Sequence, residues 1–386
     1  MKFFISFFIS LVVLFFPFWG LQAQETKGSE GSFRAVVLEI LEQEEKTLED
    51  GSKITQQNVK LKGIGGEWKD KEVTFYGISD LVVSKSTIYK KGDKVVVNYF
   101  QSPEGGINYY ISDFVRSNSI YWLFLVFLII VLAVGKWKGL AALISLALSF
   151  FIIMKMIVPM ISSGYNPLMI AIIGSFFILF FIIYITEGYN KKAHFAILSI
   201  AICLIIIALL SYLFTYITRL SGMAQEEVLF LVAGGKGSIN FQGLLLAGIV
   251  IGALGVLDDI VISQVESINQ IKKANPKLNK KEVLKIANEI GSSHLGAIIN
   301  TLFLAYAGIS IPLLILFSLG QSTFSGFESI INSEVIATEI VRTLVGVIGI
   351  TLSVPITNWL VVCFYEPKEL LVKKTNKIFN VYKSFN

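Results

Sequence analysis

The chain has 386 residues, of which 54% are hydrophobic and 16% charged, with a formal net charge of +5. So little charge over a mean hydropathy of +0.68 marks a polytopic α-helical membrane protein and excludes intrinsic disorder, collagen-like repeats and a disulfide-stapled secreted fold. The excess of positive charge is spread over connections, which excludes a nucleic-acid footprint.

Met1-Lys2 is a short basic n-region, Phe3 to Phe18 an apolar h-region, and Leu21-Gln22-Ala23 a cleavage site of the signal-peptidase kind. Residues 1–23 therefore read as a cleaved signal peptide, with an uncleaved anchor of the same orientation as the alternative. Residues 24–118 are polar and alternate with the period of strands at Phe33–Leu38, Gln57–Leu61, Glu72–Tyr76 and Lys91–Tyr99. Short strands at this density predict a small extracytoplasmic β-rich domain, a barrel or sandwich with an OB-like barrel among the options. It carries no histidine, no cysteine and no acidic cluster at metal-ligand spacing. A binding or gating module and a plain spacer fit it equally well.

A helix needs about 20 apolar residues to cross the hydrocarbon core. Residues 119–364 contain seven candidate spans: Ile120–Val134, which is short and is expected to begin before Ser119, Leu140–Ile161, Leu168–Thr186, Phe195–Ile217, Phe241–Ile262, Leu295–Leu319 and Val335–Phe364. The last is long enough to tilt or to break at Pro355. Alternate connections hold fifteen lysines, in 136–138, 191–192, 272–285 and 368–383, whereas the opposite set holds only Arg219 and Lys236. The positive-inside rule makes the lysine-rich set cytoplasmic. That puts 24–118 outside the cytoplasmic (inner) membrane, as a signal peptide requires, and the basic tail, 365–386, in the cytoplasm.

The fifth run carries Asp258 and Asp259 inside an apolar stretch that resumes after them. Ionisable groups within a span are costly and mark ion or substrate pathways. Adjacent residues stand about 100° apart on a helix, so only one of the pair can face a given partner. The alternative is an interfacial anchor or cap. Gly248 and Gly252 suggest a close approach by another helix. Beyond Gln264, Val261, Val265, Ile268 and Ile271 form a stripe, Pro276 ends it, and Asn279 with Glu282 signals a second helix. The resulting helical hairpin, 263–293, with six lysines suits an anionic membrane surface.

The next run opens at His294 and carries Asn300 and Thr301 at the depth expected for the aspartates. Tyr306, Gly308 and Pro312 predict a bend in it. Asp258, Asp259, Gln264, His294, Asn300 and Thr301 are thus the expected proton, ion or substrate pathway. Glu339 and Arg342, three residues apart in the last run, can pair on one face. Lys155 lies at a similar outer depth and is expected to join them; paired charges of this kind mark a functional site or, equally, only hold a bundle together. Cys203 and Cys363 sit in apolar runs and behave as small hydrophobes.

Several of these stretches resemble one family. They are Gly255–Ile260 with Gln264, Asn275-Pro276, Ile290-Gly291, His294, Asn300–Leu302, Leu304–Gly308, Pro312–Leu314, and Glu339–Gly346 with Gly349 and Pro355. The chain is similar to the YibE/F family from about Gly135 to Phe364, and more loosely over the β-rich domain with Asp113 and Arg116. The resemblance implies a multi-spanning membrane protein or permease.

The expected function is a transporter of the cytoplasmic membrane, coupled to protons or a cation. The alternative is a non-transporting envelope protein whose β-rich domain docks a partner. An enzyme is disfavoured: there is no His-Glu-x-x-His, Gly-x-Ser-x-Gly or Walker loop, and two neighbouring aspartates cannot converge as a protease dyad. No catalytic, cofactor-binding or metal residues are expected. Expected partners are the lipid bilayer, a small solute or ion, and further copies of the chain or an envelope protein.

Overall fold

A computed structural model describes residues 30–47, 53–78, 88–101, 106–233, 239–318 and 327–365. The expected signal peptide, all but the first residue of the expected tail, and Lys236 lie outside the described residues. The chain divides into two compact units, Met1–Val134 and Gly135–Asn386.

The first unit contains five strands among its described residues: β1 (Glu30–Thr47), β2 (Lys53–Gly63), β3 (Glu72–Tyr76), β4 (Lys94–Gln101) and β5 (Ile107–Phe114). β1, β2 and β3 contain alternating runs read from sequence, β4 takes up the fourth from Lys94 after the turn at 91–92, and β5 matches none of them. All pairings are antiparallel and the spatial order is β3-β2-β1-β4-β5. The register of β1 against β2 shifts twice, between Val37 and Glu39 and between Ile40 and Glu42. Each shift adds local bend and twist. The sheet rolls into a half-barrel whose edge strands approach, with Phe75 of β3 edge-on to Tyr110 of β5 at 6.4 Å.

Its interior is built by alternation. Phe33, Ala35 and Val37 of β1, Val59 and Leu61 of β2, and Val95 and Val97 of β4 all point inward and are buried. Trp68, on a one-turn 3-10 helix, stacks on Phe33 with centroids 4.4 Å apart. Outside, Lys60 pairs with Glu72 at 2.7 Å and Lys62 with Asp70 at 2.9 Å. These lysines hold both carboxyls below their usual range by hydrogen bonding and then by charge. Asp113 and Arg116 form an exposed ion pair at 2.6 Å where the sheet ends.

The helices are α1 (Ser117–Ile152), a π-helical turn (Ile153–Ile157), α2 (Val158–Ser162), α3 (Pro167–Thr186), α4 (Lys191–Ile217), α5 (Glu226–Ala233), α6 (Phe241–Ala274), α7 (Lys280–Ile309), α8 (Ile311–Ser318), α9 (Phe327–Asn332) and α10 (Glu334–Phe364). Six helices among the described residues are long and apolar enough to cross a membrane, against the seven expected. The difference lies at the start. The first two expected spans form one helical stretch, Ser117–Ser162. Its 46 residues would extend about 69 Å at 1.5 Å per residue, over twice a hydrocarbon core of about 30 Å. Lys136, at φ 48° and ψ −127°, leaves helical geometry between the two apolar runs.

Other boundaries follow local chemistry. Asn279 Oδ1 accepts from the Glu282 amide at 2.9 Å and Glu282 Oε2 accepts from the Asn279 amide at 2.8 Å, the capping box that starts α7. α7 ends at Ile309, ahead of Pro312 at the start of α8, which gives the expected bend. The break considered at Pro355 does not occur: α10 runs through it. Pro355 forfeits one backbone bond, and α4, α6 and α7 packed along α10 hold the helix in line.

In the second unit, α4, α6 and α10 pack mutually, α3 lies on α6 and α4, and α7 on α10 and α6. The closest approaches are at glycines other than those expected. A Cβ on Gly349 of α10 would lie 2.1 Å from Ile207 Cγ1 of α4, and one on Gly291 of α7 would lie 2.4 Å from Val354 Cγ1 of α10. Gly248, by contrast, faces open space, and Gly252 meets only the Tyr306 hydroxyl, at 3.8 Å. Gly349→Leu should therefore destabilise the bundle by about 2 kcal/mol through overpacking. Thermal unfolding in detergent checks this, and adding Ile207→Ala should recover part of the loss.

Candidate functional site

Three helices bring buried polar side chains together at the hairpin end of the second unit. Gln264 of α6 is 0% exposed, and neither its Oε1 nor its Nε2 has a hydrogen-bond partner among the described residues. It fits because Gly291 of α7 lacks a side chain: a Cβ there would be 3.1 Å from Gln264 Oε1. One turn nearer the hairpin, Asn358 of α10 donates from Nδ2 to Asn288 Oδ1 of α7 at 2.9 Å. Asn358 Oδ1 and the neighbouring Thr357 Oγ1 are also buried and unpartnered. An unpaired buried polar group costs about 1–3 kcal/mol, so this polar layer is kept against its own energetic interest.

The aspartate pair separates as helix geometry requires. Asp258 is half-buried with Oδ1 shielded and unpartnered, while Asp259 is exposed. The charges that act on Asp258 belong to Asp259 and to Glu187, which caps the C-terminus of α3. Six residues separate Asp258 from Gln264, about 240° around the axis, so the two address different faces of α6. His294, Asn300 and Thr301 are exposed on α7, and the Thr301 hydroxyl donates to the Ala297 carbonyl of its own helix at 2.9 Å. α7 turns Leu295, Ile298 and Leu302 toward the core instead. Of the six expected pathway residues, the structure buries Gln264, half-buries Asp258, and leaves the other four outward. Asn288, Thr357 and Asn358 escaped the sequence reading because it weighted charge; the signal was Thr357-Asn358 embedded between apolar residues.

The hairpin is tied to the end of α10. Lys272 Nζ donates to the carbonyls of Val362 at 3.2 Å, Val361 at 3.5 Å and Tyr365, and Lys280 Nζ to that of Cys363 at 2.7 Å. Those of Val362 and Cys363 are carbonyls a helix C-terminus leaves without partners, while that of Val361 also accepts from the Tyr365 amide at 3.0 Å. The Tyr365 hydroxyl donates to Asn269 Oδ1 at 2.9 Å, and Lys192 pairs with Glu266 at 2.6 Å. Two of the six hairpin lysines thus serve the bundle itself.

At the opposite end of the unit lies a cavity of about 300 Å³. The π-helical turn, α2, α6, α10 and the 222–228 segment line it; Ile157, Leu245, Gly248, Thr338 and Arg342 are among its walls. Arg342 Nη1 donates to Glu339 Oε1 at 2.9 Å, with the side chains 20% and 25% exposed, as the three-residue spacing foretold. Lys155 does not join them: it is exposed on the π-helical turn and makes no ion pair among the described residues. Among the described residues no three His, Cys, Asp or Glu side chains are grouped to hold a metal ion.

Two outcomes follow from this geometry. Lys272→Met should lower stability by about 2 kcal/mol, the worth of charge-assisted hydrogen bonds, whereas Lys277→Met, on the exposed turn, should stay within about 0.5 kcal/mol; paired melting curves measure both. Arg342→Ala alone should reduce folded yield more than Arg342→Ala with Glu339→Ala, because a lone buried charge is worse than none. Equal yields would mean that both side chains reach water.

The family model described as YibE/F-like protein matches residues 123–367. No curated protein and no solved structure matches the chain. The matched stretch is more than half of the chain and takes in all but the first six residues of α1 and every later helix to α10; the chain belongs to the YibE/F-like family.

Proposed function

We propose that this protein is a transporter of the cytoplasmic membrane, non-enzymatic and coupled to protons or a cation. In this reading it crosses the membrane seven times, α1 counting twice about Lys136. Residues 24–118 are outside, behind a cleaved signal peptide, and the hairpin and C-terminus are cytoplasmic. The lysine bias of the connections supports the orientation.

Gln264 is the observation that carries the reading. A side chain kept for packing alone would be Leu or Met, which fill that volume without two unpaired polar atoms. A buried carboxamide about a turn from the Asn288–Asn358 pair offers oxygens to a small cation or to a file of water. Asp258, on the same helix and with one shielded, unpartnered oxygen, is the acidic group to which we assign proton exchange in this reading. A second reading has the β-rich unit docking an envelope partner. It draws on Tyr76, 74% exposed, together with the exposed Ile107 and Tyr110 on the edge strands.

Flux of protons or sodium into liposomes holding the purified protein tests the first reading. Gln264→Leu should fold with unchanged or higher thermal stability and yet lose at least about tenfold in flux, since apolar replacement of an unpaired group is neutral or stabilising. Asp258→Asn should lose flux likewise, and exposed Asp259→Asn should keep it within about twofold. Full flux in both Gln264→Leu and Asp258→Asn would sink the transport reading. For orientation, single cysteines at Lys277 and Glu45, with Cys203 and Cys363 replaced by Ala, should label from opposite sides; labelling from one side overturns the topology.

A further inference from the structure

We infer that the cavity between the π-helical turn, α6 and α10 is a binding site for a small apolar molecule bearing one carboxylate. At about 300 Å³ it lies at the lower bound of ligand cavities. Its walls are almost wholly aliphatic: Ile153, Ile157 and Val158 on one side, Leu244, Leu245 and Ile251 on another. Among the described lining residues Arg342 is the one charged side chain, with Thr338 and Gln225 as the other polar groups.

The guanidinium is arranged to receive an anion. Glu339 takes one hydrogen bond, from Nη1. Nε and Nη2 share the other edge of the guanidinium plane, and that edge has no partner among the described residues; Nε is fully shielded. Two parallel N–H donors on one edge match the two oxygens of a carboxylate. Thr338 stands four residues before Arg342, on the same face of α10, and is 3% exposed with an unpartnered Oγ1. Its hydroxyl is a third donor to the same carboxylate. Glu339 is a positioning residue: it fixes the guanidinium plane from outside the cavity wall. Gly248, which is exposed, also lines the chamber, and a Cβ there would meet nothing within 4 Å. The close glycine contacts elsewhere show that these helices do approach where nothing has to be admitted.

The inference stands apart from the transport reading, because equilibrium binding requires no flux. Full-length protein in phosphatidylcholine nanodiscs is titrated with hexanoate by calorimetry, with hexanol and hexylamine as uncharged and cationic counterparts. Hexanoate should bind saturably and the other two at least tenfold more weakly. Arg342→Lys, which keeps the charge and loses the paired edge, should weaken hexanoate about tenfold. Gly248→Leu should fill the chamber and abolish binding while the melting temperature stays within a few degrees. This variant carries the test if Arg342 variants fail to fold. Displacement of hexanoate by palmitate indicates supply from the bilayer, and no displacement supply from water; both uphold the site. Hexanol binding as tightly as hexanoate, or Gly248→Leu binding hexanoate like the unsubstituted chain, overturns it.

Discussion

Helix α10 is packed along its length against α4, α6 and α7, and that contact sets the terms for the rest of the helical unit. Helices surrounded by lipid gain no hydrophobic drive from meeting one another; they associate through van der Waals fit and satisfied polar groups. The fit here is obtained by seating Ile207 of α4 over Gly349 and Val354 of α10 over Gly291. The polar requirement is met at the end of α10, where Lys272 and Lys280 reach across from the hairpin to its last carbonyls.

Against that economy, the unpaired groups stand out. Gln264, Thr357 and Asn358 cluster toward the hairpin end, and Thr338 with Arg342 at the other. Both sets involve α10, and each lies beside a place where a helix departs from plain close packing. At one end Gly291 admits a carboxamide; at the other a π-helical turn and Gly248 leave a chamber. π-helical turns are costly relative to α-helix and recur at functional sites. The two ends are chemically different: carboxamides and a hydroxyl at one, a guanidinium and a hydroxyl at the other.

The β-rich unit solves a separate problem. A sheet of five strands exposes two edges unless it rolls. Two register shifts in the long first strand bend it enough for β4 and β2 to flank it and for β3 and β5 to draw near. Trp68, stacked on Phe33, covers the interior that the half-barrel leaves open.

The amino-acid sequence by itself determined what depends on local period and local chemistry. Apolar runs of spanning length, strand alternation at Phe33–Val37 and Val95–Val97, the Asn279–Glu282 start of α7 and the Glu339–Arg342 pair are all short-range consequences of residue type and spacing. Membership of the family was also legible, because scattered polar residues inside apolar runs form a distinctive pattern. Only the tertiary structure decided which face each helix turns inward. One step along a helix is a rotation of about 100°, so the depth shared by Asp258 and Asn300 says nothing about whether they meet. α7 presents Leu295, Ile298 and Leu302 to the core and leaves Asn300 outside. Similarly, a glycine's role depends on what its neighbours bring: Gly349 admits Ile207, while Gly248 admits nothing and leaves a cavity. Spacing along a chain sets which residues share a face; the packing of α4, α6, α7 and α10 against one another sets what that face meets.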